Sequence, residues 1–200
     1  AKFVALITNI IANMHNKHVV FTFFKEKSGV ILLHSILKMC GITSAIFSGD
    51  LDDFKRRAVL RRYNSVKNRY GDKVKVLLVT EAGAEGISVL EARHMHILES
   101  SPRMGKITQA IGRVARYKSH INLPPEERNV RIWRYWSIAS PEQIKITTKI
   151  TEPDGKEMEQ TSVINNKICV DEQLYRKGML ALNEIKSFFD LLKSVSVTPF

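Results

Sequence analysis

No Gly-x-x-x-x-Gly-Lys-Ser/Thr occurs in these 200 residues; Gly105-Lys106 and Gly155-Lys156 are followed by Ile and Glu. A phosphate-cradling loop with its magnesium-binding hydroxyl is therefore absent, and with it a self-contained site of that kind. Cysteine is scarce. Cys40 and Cys169 lie far apart, which excludes a disulfide framework or a metal knuckle and points to a reducing compartment. No apolar run approaches the ~20 residues of a membrane span, and no segment reads as a secretory leader. Acidic residues are outnumbered, 20 against 31 Lys and Arg, for a net charge of +11. Such a surplus attracts polyanions. The plain reading of any one lysine is a solvated face, but the summed field favours nucleic acid. Aromatic residues are not interleaved with the basic ones, which favours backbone contacts over base stacking. Repeats and low-complexity tracts are also missing.

At 44% hydrophobic residues, the chain can build one core, with or without a small appendage. The pattern alternates strand and helix. An opening helix (Phe3, Leu6, Ile7, Ile10, Ile11, Met14) starts the chain directly, as in an excised domain. A strand follows near 18–24, a helix near 28–40 and a strand near 43–48. The helix near 51–66 carries Lys55, Arg56, Arg57, Arg61 and Arg62, with Leu51, Phe54, Ala58 and Tyr63 expected to point inward. Strands near 74–80 and 94–98, a helix near 106–117 and a strand at 130–136 complete the main unit, residues 1–140. Trp133 and Trp136 read as part of a half-buried strand. His94 and His96 share a strand face, and two imidazoles without a third ligand do not make a metal site.

Residues 141–200 form the appendage. Ile144–Ile150 and Glu157–Ile164 flank Glu152-Pro153-Asp154-Gly155, a hairpin signal. Leu174, Tyr175, Met179, Leu182, Ile185, Phe189 and Leu192 then recur at helical spacing, as a stripe expected to pack on the main unit. Ile168-Cys169-Val170-Asp171-Glu172 mimics an acidic nucleotide-site motif, but Asp171 reads more simply as the N-cap of this helix.

Three segments carry chemistry. Gln109-Ala110-Ile111-Gly112-Arg113-Val114-Ala115-Arg116 spaces two arginines so that a helix presents both forks on one face, suited to phosphate oxygens. On its own, the octet equally fits an Arg-rich solvated helix. Val74–Val79 is an apolar strand running into Thr80-Glu81-Ala82-Gly83-Ala84-Glu85-Gly86-Ile87-Ser88, a small-residue loop placed where open α/β sheets bind ligands. Val19–Phe24 is a strand ending at basic Lys25. In order, VVFTFF (19–24), TEAGAEGIS (80–88) and QAIGRVAR (109–116) resemble motifs IV, V and VI of superfamily 2 helicases and translocases. Ser48-Gly49-Asp50 with Lys55-Arg56-Arg57 looks like the turn and basic helix between motifs IV and V. The wording of motif V looks closest to the large-DNA-virus branch, which includes the poxviral nucleoside triphosphate phosphohydrolase I and early transcription factor small subunit types.

The resemblance implies a RecA-like C-terminal lobe with a mostly parallel sheet flanked by helices, a hairpin and a long helix appended. It implies an ATP hydrolase in which ATP and Mg2+ are held mainly by a first lobe outside this sequence, the fragment alone being inactive. Arg113 and Arg116 would reach the phosphates, and Gln109 would fix nucleotide or water. Gly86 and Ser88 would line the nucleotide side, while Thr80, Lys25, Ser48, Gly49 and Arg57 would contact the nucleic-acid backbone. Ala110 stands where many helicases carry Arg, an opening shared with chromatin-remodelling translocases. The implied partners are nucleic acid, DNA ahead of RNA, the first lobe, and a viral RNA polymerase or transcription factors. The implied setting is soluble, in host cytoplasm or virion. Two other readings stay open: a nucleic-acid-binding module without a nucleotide role, and a docking domain for a transcription complex.

Overall fold

The computed structural model describes residues 2–26, 29–84, 86–138, 145–151, 157–163 and 169–195. Helix α1 (Lys2–Ile11) leads into β1 (Lys17–Thr22), α2 (Val30–Met39), β2 (Ser44–Phe47) and α3 (Asp53–Tyr63). Then come β3 (Val76–Thr80), β4 (Ala92–Ile97), α4 (Met104–Val114) and β5 (Arg131–Arg134). The five strands are parallel in the order β2-β3-β1-β4-β5. An antiparallel pair, β6 (Lys145–Thr151) and β7 (Glu157–Val163), precedes α5 (Val170–Val195). The turn expected at 152–155 lies outside the described residues.

Each residue of β1 and β3 is buried, because helices cover both faces of the sheet. That is why these strands read as near-continuous runs rather than as alternation. On one face Phe21, Phe47, Tyr63, Leu77, Val79, Met95, Ile97 and Ile107 form a cluster. On the other, Leu6, Ile10, Val20, Leu33, Leu37, Val76 and Leu78 pack together. Each such side chain contributes roughly 1.5–3 kcal/mol relative to exposure.

The structure departs from several expectations. In α3, Phe54 is 77% exposed and Ala58 is exposed, whereas Tyr63 is buried and Val59 and Leu60 pack on the core. Phe54 stands in the first turn of α3, ahead of the stretch by which Val59, Leu60 and Tyr63 pack that helix on the core. The guanidinium of Arg56 instead lies over the Phe47 ring, 5.2 Å from its centroid. Helix α4 stops at Val114, so Arg116 stands beyond the C-cap, Ala115. Asp171 is not the cap of α5. Cys169 occupies the start, with the Glu172 N–H donating to its Sγ at 3.4 Å. The Asp171 carboxylate accepts from the Ser100 and Ser137 N–H groups and pairs with Lys2 at 2.7 Å, tying α5 to α1 and to both strand exits.

Helix α5 packs by its first half only. Tyr175, Met179 and Leu182 lie on the core, and Gly178 approaches Met104 so closely that a β-carbon would overlap it. Ile185, Phe189 and Leu192, expected to be packed, are exposed, as are Leu180, Phe188 and Leu191.

His94 and His96 have a third neighbour that sequence spacing hides, because β1 pairs with β4 in a register that opposes His18 to His94. The three imidazoles stack with Trp133 and Tyr135 in a ladder. Their nitrogens are committed to neighbours rather than aimed at a common point. Nδ1 of His18 lies 3.0 Å from Nε2 of His96, and Nδ1 of His96 lies 2.8 Å from the Tyr135 hydroxyl. The Trp133 indole donates to Nδ1 of His94 at 3.2 Å. Burial, the largest cause, together with neighbouring positive charge lowers the imidazole pKa values, to about 3 for His18, about 4 for His94 and about 2 for His96.

Candidate functional site

The loop after β3 is built by small residues because two backbones meet there. A β-carbon on Gly83 would strike the Phe47 carbonyl, and one on Gly49 would lie 2.8 Å from Cβ of Ala82. The turn after β2 and the loop after β3 are thereby fixed against each other. The Thr80 carbonyl accepts from Ala84 N at 2.9 Å, and the Thr80 hydroxyl accepts from Gly83 N at 3.3 Å. Gly86 takes φ +74, a conformation that suits glycine.

The segment leaving this loop lies beside α4. Val89 N donates to the Arg113 carbonyl at 3.3 Å, and Arg116 Nη1 donates to the Ser88 hydroxyl at 2.8 Å. A cleft between the two is lined by Phe21, Glu81, Ala84, Lys106, Gln109, Ala110 and Arg113. Lys106 pairs with Glu81 at its edge. Gln109 and Arg116 are exposed and Arg113 is half-buried. Gln109 and Arg113 stand four residues apart on one face of α4, and the Ser88 bond keeps Arg116 beside the same loop although it has left the helix.

The structure does not bring all the expected residues to one surface. Gln109 and Arg113 share the cleft, whereas Arg116, bonded to Ser88, lines a separate pocket with Tyr117, Lys118 and Arg128, and Gly86 is exposed on the adjoining loop. Thr80 and Ser48 are 6% and 3% exposed, so the Thr80 hydroxyl shapes its own turn. Gly49 and Lys25 are exposed beyond the strand ends, and Lys25 pairs with Asp50 at 2.6 Å. That carboxylate holds the Lys25 ammonium above its ordinary pKa. Arg57 is exposed on α3. Sequence reading missed Asn64, whose amide grips the Ser88–Leu90 backbone, and Lys106, which neutralises Glu81. The only signal for Asn64 was its place after the basic helix, where an Asn ends helices well.

A parallel sheet covered by helices on both faces, with a small-residue loop after a central strand and Gln109 and Arg113 of α4 lining a cleft beside it, defines an α/β nucleotide-site type of lobe. Residues 1–118 match the helicase conserved C-terminal domain, and the chain belongs to that family. It is 29% identical over 168 residues to the termination factor NPH-I homolog of African swine fever virus, covering 84% of this chain and 21% of that protein. It is 38% identical over 112 residues to the putative ATP-dependent RNA helicase L538 of Acanthamoeba polyphaga mimivirus, covering 56% and 24%. The chain thus spans a quarter or less of these relatives. Among solved structures, the C-terminal part of the Fun30 ATPase domain superposes with TM-score 0.54 at 18% identity, covering 66% of this chain and 40% of that one. The E. coli DEAD-box protein SrmB, bound to the regulator of ribonuclease activity A, gives 0.53 at 20%, covering 66% and 68%. The architecture is that of RecA-like helicase C-terminal lobes, extended by the long α5. Among the described residues, no helix is long and apolar enough to cross a membrane.

Proposed function

We propose that this lobe serves an ATP-driven nucleic-acid motor by presenting Arg113 and Arg116 to a nucleotide held on an opposing lobe. One observation carries the reading: the segment leaving the loop after β3 is bonded to both arginine positions. The Arg113 backbone carbonyl accepts from Val89 N and the Arg116 guanidinium donates to the Ser88 hydroxyl, with Gln109 and Arg113 lining the adjoining cleft. The donor set suits phosphate oxygens, since Gln109 and Arg113 line one cleft and the carboxylate there, Glu81, is paired with Lys106. The triphosphate, carried on the opposing lobe, would supply the phosphoryl group to be transferred, and Mg2+ held there would neutralise charge on its oxygens. Arg116 exchanges its Ser88 acceptor for phosphate oxygen as the lobes close. Arg113, half-buried and held by its helix, sets the direction of approach. Gln109 orients the nucleotide or the attacking water. Lys25, Gly49 and Arg57 face outward from the strand ends and the basic helix, and bind the nucleic-acid backbone without reading bases.

The similarity to a protein named as a viral termination factor directs the reading towards viral transcription, with DNA as the first substrate to try. Translocation without robust strand separation fits Ala110 after Gln109. The test is Arg116→Ala in the full-length protein that carries this lobe. Turnover is expected to fall on the order of 10³–10⁵-fold, as for other arginines acting across a cleft, with nucleic-acid affinity largely kept. Near-normal ATP hydrolysis would assign the arginines to a purely polyanion-binding surface.

A further inference from the structure

The basic helix and the arginine cleft are joined by one side chain. Asn64 closes α3, its backbone N–H donating to the Leu60 carbonyl at 2.8 Å. Its side chain then spans to the segment leaving the loop after β3. The amide Nδ2 donates to the Ser88 carbonyl at 2.8 Å, and Oδ1 accepts from Leu90 N at 3.0 Å. Both hydrogen-bonding ends of the amide are used, on two backbone groups two residues apart. This copies the pairing of a neighbouring strand where no strand is present, and an amide is the side chain that both donates and accepts in one plane.

The gripped segment is the one that positions the arginines. Val89, between the two clamped residues, donates to the Arg113 carbonyl, and Ser88 offers its hydroxyl to Arg116. Arg116 has left α4, so helix geometry does not aim it; the hydroxyl of a residue fixed by Asn64 does. We propose that Asn64 is a positioning residue that couples the basic helix α3 to Arg116. The inference rests on the nucleotide role of Arg116 proposed above. A strand bound along Arg57 and Arg61 pulls on α3, whose C-cap is Asn64. Any displacement passes through the two side-chain hydrogen bonds to Ser88 and Leu90, and from the Ser88 hydroxyl to the guanidinium. Residues joined in one hydrogen-bond network couple more strongly than distant ones.

The experiment uses the full-length protein with mixed-sequence single-stranded DNA and measures steady-state ATP hydrolysis. Arg116→Ala is made first, and normal hydrolysis in that variant refutes the nucleotide reading itself. If hydrolysis is lost, Asn64 is tested in three forms. Asn64→Ala removes both bonds. Asn64→Asp keeps the acceptor for Leu90 and replaces the donor to Ser88, which covers the case in which the alanine variant unfolds. Ser88→Ala cuts only the link to Arg116. Each is expected to lower DNA-stimulated kcat about tenfold, with KM for ATP and DNA affinity within about twofold. Adding Asn64→Asp to Arg116→Ala should lower kcat no further, while the melting temperature still falls. Unchanged kcat in folded Asn64→Asp, or a full tenfold loss on top of Arg116→Ala, would make Asn64 a purely structural clamp.

Discussion

Acidification should unfold this domain through its histidine ladder. His18 and His96 are fully buried, and each is neutral in the fold because burial holds its pKa at about 3 and about 2. The unfolded chain titrates near the usual 6.5. Above about pH 7 neither state binds these protons, so the ladder makes no pH-dependent contribution. As pH falls through 6.5 the unfolded chain takes up protons that the fold refuses, and stability is lost until the folded pKa values are reached. At pH 5 the deficit is about 2 kcal/mol per imidazole, or about 4 kcal/mol for the pair. His94, held at about 4 by burial first and by Arg131 and Arg93 after it, adds to this. Such a loss is comparable with the ~5–15 kcal/mol that holds a domain together. Urea unfolding followed by tryptophan fluorescence between pH 7.5 and pH 5 should show the midpoint dropping steeply. His96→Gln should shrink the pH-dependent part by about 2 kcal/mol. A midpoint independent of pH, or an unchanged slope in His96→Gln, would refute the assignment of neutral stacked imidazoles.

Gly83→Ala places a β-carbon against the Phe47 carbonyl, where neither backbone can yield cheaply. A loss of roughly 1–3 kcal/mol is expected by chemical denaturation, and wild-type stability would contradict the close approach. Leu182→Ser should cost about 2 kcal/mol or more, whereas Phe189→Ser, on the exposed half of α5, should change stability by less than about 0.5 kcal/mol. Equal costs would mean that α5 packs along its whole length. Arg57→Ala should weaken DNA binding across all sequences and lower the salt slope by about one, read from fluorescence anisotropy at several salt concentrations; an unchanged slope removes Arg57 from the interface.

What the sequence revealed follows from where the information is local. Strands β1 and β3 stood out because a sheet covered on both faces needs unbroken apolar runs, and Val19–Phe21 and Val76–Val79 provide them. The proximity of Gln109 and Arg113 at one cleft was legible because they lie four residues apart on one helix, whereas the departure of Arg116 from that helix was not. The inward face of α3 was misread because Phe54 stands in its first turn, where apolar character alone does not say which side the core is on. The Asp171 carboxylate has the chemistry of a cap, yet its partners at Ser100, Ser137 and Lys2 are remote in sequence. His18 joined His94 and His96 only through strand register, and Asn64 reached Ser88 only through tertiary packing. Neither leaves a periodic trace.

The strand order also sets a timetable for synthesis. β1 occupies the middle of the sheet, yet it leaves the ribosome before both of the strands that flank it, β3 and β4. Its apolar Val19-Val20-Phe21 stretch must wait, unpaired, until Val76 and then Ala92 have been made, several seconds at ~5–20 residues per second. During that interval the nascent chain displays a sticky ribbon with two open edges, to which holding chaperones should bind.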